Sequence, residues 1–114
     1  MKIEKFEDII AWQKAKILTI NIYQTFEKSK DYWFKDQIQR ASVSIMNNIA
    51  EWFERRTNKE LRSFFYIAKW SCAEVRSMVY LALDLWYIDR NKSNEILNLL
   101  VEISKILSGF IKTI

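Results

Sequence analysis

Residues 36–62 read DQIQRASVSIMNNIAEWFERRTNKELR, and this stretch decides the fold. It predicts one helix, a short basic corner and the start of a second helix. The apolar residues of the helix that ends before this corner, including Phe34 just upstream of residue 36, recur at spacings of three and four. This spacing places them on one helical face. They are Phe34, Ile38, Ala41, Ile45, Ile49 and Phe53. Because the corner at residues 54–58 is short, the two helices should be antiparallel neighbours.

Small and amide side chains occupy the middle of this helix. Ala41, Ser42 and Ser44 allow a neighbouring helix to approach closely. Asn47 and Asn48 lie where asparagine is a poor helix former. Near a core they need hydrogen-bond partners, because an unpaired buried amide costs about 1–3 kcal/mol. We expect the pair to bond across the bundle and fix its register; a binding site built from them is the alternative.

The remaining sequence predicts three more amphipathic helices. The chain has 114 residues with no proline and one glycine, a composition typical of helical proteins. Helices are predicted at about 4–27, 32–55, 58–87 and 93–112. They form a single domain, 1–114, whose fold class is an all-α, antiparallel up-and-down four-helix bundle. The first helix should bury a wide apolar stripe: Phe6, Ile9, Ile10, Trp12, Ile17, Ile20, Tyr23 and Phe26.

Helix starts are marked by side chains that can cap free backbone N–H groups. Asp31 is placed to cap the second helix, and Asp89 or Asn91 the fourth. Thr57 and Glu60 form the T-x-x-E pattern of a capping box at the start of the third helix.

The sequence offers little catalytic chemistry. It contains no histidine and one cysteine, so a zinc or haem site has almost no ligands to use, and a serine or cysteine nucleophile lacks its usual base. Glu51 and Glu54 share a face near Arg55, where an ion pair is the expected role. Cys72 lies in a helical context and should be a buried structural thiol. We therefore expect a non-enzymatic protein without cofactors.

The N-terminal residues MKIEKFEDII lack the apolar core of a signal peptide. No apolar run approaches the ~20 residues of a membrane span. The sequence therefore predicts a cytoplasmic protein with no membrane partner.

The net charge of +4 is concentrated in one segment. Basic and acidic side chains balance at eight each in residues 1–54 and at four each in residues 77–114. Residues 55–76 hold six basic and two acidic side chains. Localised positive charge attracts phosphate or acidic protein. The predicted nucleic-acid contacts are Arg55, Arg56, Lys59, Arg62 and Lys69; a solvated face with intrahelical ion pairs is the alternative.

Aromatic residues are abundant for a small core, with five Trp, seven Phe and five Tyr. Several lie off or at the edge of the main apolar stripes, which is typical of a partner surface. They are Trp52, Phe53, Tyr66, Tyr80 and Trp86. The sequence therefore predicts a homo-oligomer.

Three stretches resemble the family of four-helix-bundle proteins found as reading frames in intervening sequences of 23S rRNA genes. They are FEDIIAWQKA (6–15), DQIQRASVSIMNNIAE (36–51) and ERRTNKELRSFFYIAK (54–69). Relatives of that family include the accessory variability determinant of diversity-generating retroelements. The resemblance implies a basic homopentamer that works with RNA or DNA and a reverse transcriptase. The competing interpretation is a structural or protein-interaction oligomer without nucleic-acid binding.

Four tryptophans stand where the family typically has glycine: Trp33, Trp52, Trp70 and Trp86. Random drift would not convert one residue type into one other four times. Our hypothesis is that the source reads UGA as glycine, whereas this translation reads it as tryptophan. If the tryptophans are genuine, such changes at close packing points would each strain the bundle by roughly 1–3 kcal/mol or more. Positions at helix ends or corners would tolerate tryptophan better.

Overall fold

The computed structural model describes residues 3–56 and 62–113. Within that part of the chain the regular structure is helical throughout, which confirms the all-α prediction. A short 3₁₀ turn at Phe6–Asp8 precedes the first helix. The four α-helices are α1 (Ile10–Thr25), α2 (Tyr32–Glu54), α3 (Arg62–Asp84) and α4 (Arg90–Thr113).

Each helix packs against the next in sequence, and α4 packs back onto α1. Two contacts between α1 and α4 show their relative direction. Lys14 pairs with Glu102 at 2.6 Å, and farther along α1 Asn21 donates to Glu95, which lies earlier in α4, at 3.1 Å. The two helices are therefore antiparallel. The bundle measures 44 × 23 × 20 Å.

Helix α2 buries the stripe that its spacing predicted. All six predicted apolar residues are buried, from Phe34 at its start to Phe53 at its end. Asp31 caps the helix, because its carboxylate accepts a hydrogen bond from the backbone N–H of Phe34 at 3.1 Å. The prediction was accurate here because the apolar residues occupy one narrow face.

The stripe predicted for the first helix is wrong in two respects. The α-helix begins at Ile10, after the 3₁₀ turn, and four residues of the predicted stripe are exposed: Ile10, Ile17, Ile20 and Tyr23. The buried residues of α1 lie on the opposite side of its wide apolar surface: Ala11, Ala15, Leu18, Thr19 and Ile22. Small residues on that side permit close approach to α2. The Thr19 hydroxyl donates to the carbonyl of Ala15 at 2.8 Å and also lies 3.1 Å from the carbonyl oxygen of Ser42 on α2.

The corner between α3 and α4 also differs from prediction. Helix α3 ends at Asp84, three residues before the predicted end at 87, and α4 begins at Arg90 instead of 93. Asp89 is the cap, since its carboxylate accepts from the N–H of Lys92 at 2.7 Å. The predicted capping box of Thr57 and Glu60 lies outside the described residues.

The asparagine pair does not bond across the bundle. Asn48 donates within its own helix, to the carbonyl and hydroxyl of Ser44 at 2.7 and 3.1 Å, and Asn47 is exposed. A serine pair makes the polar crossing from α2 to α3, with the Ser71 hydroxyl donating to that of Ser44 at 2.9 Å. Shorter side chains suit the close spacing that the small residues create.

Candidate nucleic-acid interface

Two of the predicted contacts, Arg55 and Arg56, lie at the C-terminus of α2 and have local partners. Arg55 forms an i,i+4 ion pair with Glu51 at 3.3 Å, as predicted, and its guanidinium lies 5.8 Å from the ring centroid of Phe64 on α3. Arg56 donates to the carbonyl of Phe53 at 2.7 Å and lies 4.0 Å from the centroid of that ring. Positive charge is favourable beside free helix-terminal carbonyls. Both arginines therefore stabilise the end of α2 while presenting charge there.

Three cations run along α3 at intervals of seven residues. They are Arg62, Lys69 and Arg76. Seven residues correspond to about 10.5 Å of helix and nearly two full turns, so the three share one face, with a drift of only ~20° per heptad. We call this row the α3 cationic stripe. Arg62 and Arg76 are exposed, and Lys69 is half-buried.

A groove of about 500 Å³ lies between α3 and α4. Lys69 and Arg76 of the stripe line it, and α4 contributes a third cation, Lys105. The Lys69 ammonium donates to the hydroxyl of Ser108 at 2.8 Å, which holds it across the α3–α4 seam. The groove is therefore a concave site with positive charge from both helices.

Aromatic rings flank the stripe and line the same groove. Tyr66 and Trp70 are exposed, with ring centroids 6.4 Å apart. Trp52, predicted off or at the edge of the apolar stripes, is half-buried against the core, with its ring centroid 4.3 Å from that of Phe65 and 5.9 Å from that of Phe110. Tyr66 and Trp70 are thus available to a ligand, whereas Trp52 is half-buried within the bundle.

The structure divides the predicted site residues between two places. Arg55, Arg56 and Arg62 lie at the α2–α3 end of the bundle, and Lys69 lies in the groove; Lys59 is outside the described residues. Sequence reasoning missed Arg76 and Lys105 as members of the site. The seven-residue spacing from Lys69 could have identified Arg76. Lys105 could not be found without knowing how α4 packs on α3.

Cys72 lies at the floor of the groove and is buried, as predicted. Burial raises the pKa of the Cys72 thiol to about 12, against a smaller lowering by the charge of Lys69. The thiol is therefore protonated at neutral pH, which removes its nucleophilic form.

Two other kinds of site are lacking in the described part of the chain. No three acidic or thiol side chains converge there in a way that could hold a metal ion. None of its helices has the length and apolar character that a bilayer crossing requires.

Comparison with known proteins places the chain in a family. A family model described as the 23S rRNA-intervening sequence protein matches residues 7–109, which is most of the chain. The chain belongs to the 23S rRNA-intervening sequence protein family. Both the α3 stripe and the α3–α4 groove lie within the matched residues. No curated protein matches the chain.

A solved structure shows the same architecture. It is the 1.70 Å crystal structure of a protein with unknown function from the S23 ribosomal protein family of Bacteroides thetaiotaomicron VPI-5482. The TM-score is 0.83 and the identity 25%, and the match covers 90% of this chain and 99% of that one. The chain therefore shares its fold with that protein along almost its full length.

Proposed function

We propose that this protein is a non-enzymatic, oligomeric accessory factor of the cytoplasm that binds RNA or DNA through the α3 cationic stripe. The observation that carries the proposal is the alignment of Arg62, Lys69 and Arg76 on one face of α3. A row of basic residues along a helix, with aromatic residues beside it, is a characteristic footprint of nucleic-acid binding. Arg55 and Arg56 extend the positive charge around the end of α2.

Electrostatics favours a polyanion over a small acidic ligand. The stripe is about 21 Å long, and all of the chain's net charge comes from residues 55–76. Oligomerisation would multiply this charge on one particle. The membership in the 23S rRNA-intervening sequence family and the resemblance to the accessory variability determinant support a pentamer and a reverse transcriptase as a further partner.

The exposed apolar face of α1 supports the oligomer. Ile10, Ile17 and Ile20 lie on one side of this helix with 59%, 55% and 47% of their surface exposed. Apolar residues grouped in this way are typical of a protein interface. We expect light scattering to show an assembly larger than a monomer, and Ile17→Glu to dissociate it. A monomeric wild-type protein at working concentration would contradict this part of the proposal.

Salt-dependent binding tests the nucleic-acid proposal. The affinity for labelled RNA or DNA should fall steeply between about 50 and 200 mM salt, because bound cations displace counterions from phosphates. Arg62→Gln with Arg76→Gln should weaken binding and reduce the salt slope by about two. Lys28→Gln with Arg90→Gln is the matched control, since it removes equal charge at the opposite end of the bundle and should leave the slope unchanged.

The competing function is a protein-interaction oligomer whose basic face binds an acidic partner. It would be favoured if the wild-type protein bound neither RNA nor DNA at about 50 mM salt. Equal effects of the stripe and control variants would instead indicate binding by overall charge, and would contradict the stripe as the site.

A further inference from the structure

We propose that the α3–α4 groove is a binding site for single-stranded nucleic acid, in which Lys69, Arg76 and Lys105 hold phosphates and the ring of Tyr66 stacks on a base. This inference rests on the proposed function and adds to it a defined site and a selectivity for unpaired strands. It depends on residues from two helices that only the fold brings together.

The size of the groove fits part of a nucleic-acid strand. Its volume of about 500 Å³ is within the range of small-molecule pockets. Lys69 and Arg76 are seven residues apart, or about 10.5 Å along α3. With their backbone positions spaced in this way, the two long side chains can contact separate phosphates of one strand.

The charge of the groove is positive and is not neutralised from within. Among the described residues that line it, none carries a carboxylate. Glu102 is near in sequence to Lys105, but its carboxylate pairs with Lys14 of α1 at 2.6 Å. Arg76 and Lys105 form no ion pair with any described residue. Both are therefore available to an anionic ligand.

The walls and floor of the groove provide surface for a planar base. Tyr66 lines the groove and is 38% exposed, and Leu100 and Val101 of α4 add apolar surface to the lining. Aromatic side chains beside a basic groove are how proteins bind single strands without sequence preference. Trp70 adds a second ring, but the site does not require it, because Tyr66 alone offers a stacking face.

The combination of three cations with an exposed aromatic ring selects one class of ligand. The bases of a duplex are stacked inside the helix, so a duplex could use the cations but not the Tyr66 ring. An acidic peptide could likewise pair with the cations, but it would not depend on a stacking ring. A single strand uses both features, which makes Tyr66 the discriminating residue.

Fluorescence anisotropy tests the groove with labelled single-stranded RNA and DNA. The strands are about ten nucleotides long, which is within the site size of single-strand-binding folds. The corresponding duplex is the comparison ligand. Tyr66→Ala should weaken single-strand binding about tenfold and leave duplex binding unchanged, as expected from the loss of one stacked base. Lys105→Gln should weaken single-strand binding and reduce its salt slope by about one.

Two matched variants lie at helix starts and do not line the groove. Tyr32→Ala removes an exposed tyrosine at the start of α2, and Arg90→Gln removes an exposed cation at the start of α4. Neither should alter single-strand binding. Thermal unfolding of all four variants checks that each is folded before affinities are compared.

The outcomes separate the groove from the proposed function. If the wild type binds with steep salt dependence but Tyr66→Ala behaves like Tyr32→Ala, the groove proposal is overturned and the stripe remains. If the wild type binds no nucleic acid, both proposals fall. A third outcome is that polyglutamate of equal charge displaces the single strand and that Tyr66→Ala weakens binding of neither ligand. This outcome would identify an acidic protein as the occupant and would overturn the groove as a base-binding site.

Discussion

The backbone N–H of Tyr87 donates to the carbonyl of Ala82 at 2.8 Å, five residues back, and thereby closes the end of α3. The N–H of Trp86 donates to the carbonyl of Leu83 at 3.2 Å. These two bonds form a Schellman motif. In this motif the residue that follows the helix C-cap adopts the left-handed conformation that favours glycine. Trp86 occupies that position with φ 63°, and it is 91% exposed.

Trp86→Gly should therefore stabilise the protein. A side chain in the left-handed region costs roughly 1–2 kcal/mol, and removing an exposed ring loses little packing. Part of the gain is offset by the greater flexibility of glycine in the unfolded chain. We expect the free energy of unfolding to rise by about 1 kcal/mol, measured by urea denaturation.

Trp70→Gly is the matched control, because the same substitution is made at an exposed position inside α3. Glycine within a helix is unfavourable, so the free energy of unfolding should fall by about 0.5 kcal/mol relative to tryptophan. Equal changes at residues 70 and 86 would show that the left-handed backbone is not the cause.

The conformation at residue 86 bears on the hypothesis that UGA is read as glycine in the source. We expect the gene to carry TGA codons at positions 33, 52, 70 and 86, and peptides of the protein from its source to have the masses of the glycine forms. A TGG codon at all four positions would end this hypothesis.

The four positions differ in what glycine would do there. Trp33 and Trp70 are exposed, so their rings contribute little to packing. Trp52 contacts Phe65 and Phe110, so glycine would leave a gap among these rings unless they closed over it. Trp52→Gly should therefore lower the unfolding free energy by about 3 kcal/mol, near the low end of large-to-small core changes. A loss below about 1 kcal/mol would mean that the neighbouring rings repack.

The contrast between α2 and α1 shows what the sequence could decide. In α2 the apolar residues form a single narrow stripe, so spacing alone identified the buried face. In α1 apolar residues surround more than half of the helix, so hydrophobicity alone predicted that the face with the isoleucines is buried. The side with small residues faces α2 instead, with Thr19 in contact with Ser42, and this choice of face depends on the partner helix.

The same limit applies to the candidate site. Charge counting located the basic segment, and helical spacing relates Lys69 to Arg76. The groove, however, also depends on Lys105, which lines it, and on Ser108, which accepts a hydrogen bond from Lys69. These residues of α4 are about 36–39 positions from Lys69 along the chain and meet α3 only through packing. The charge could therefore be predicted and the cavity could not.

Ser93→Ala should leave stability unchanged or raise it by up to about 1 kcal/mol. The Ser93 hydroxyl is buried and has no hydrogen-bond partner among the described residues, and a buried unpaired polar group is unfavourable. Thermal denaturation measures the change. Ser71→Ala is the control, because it breaks the bond to Ser44 and should destabilise by about 1 kcal/mol. If both variants lost the same stability, a water or another partner would have to satisfy Ser93.

The hydrogen bond from the Tyr87 hydroxyl to Asp31, at 2.7 Å, should make stability depend on pH at both extremes. This bond and the N–H of Phe34 lower the pKa of the Asp31 carboxyl, so its contribution is complete above about pH 4 and lost as pH falls through the lowered pKa. The same bond, with burial and the charge of Asp31, raises the pKa of Tyr87. That contribution is complete below about pH 10 and lost as pH rises through the raised value.

Tyr87→Phe tests this window, because it removes the hydrogen bond and keeps the ring against Phe34. The melting temperature of the variant should lie below that of the wild type between about pH 5 and 9. The two should converge towards about pH 2 and again above about pH 11. Tyr80→Phe is the control, since its exposed hydroxyl has no bond to a described residue, and it should match the wild type throughout. A constant difference between Tyr87→Phe and the wild type at every pH would mean that ring packing, and not the bond to Asp31, causes the loss.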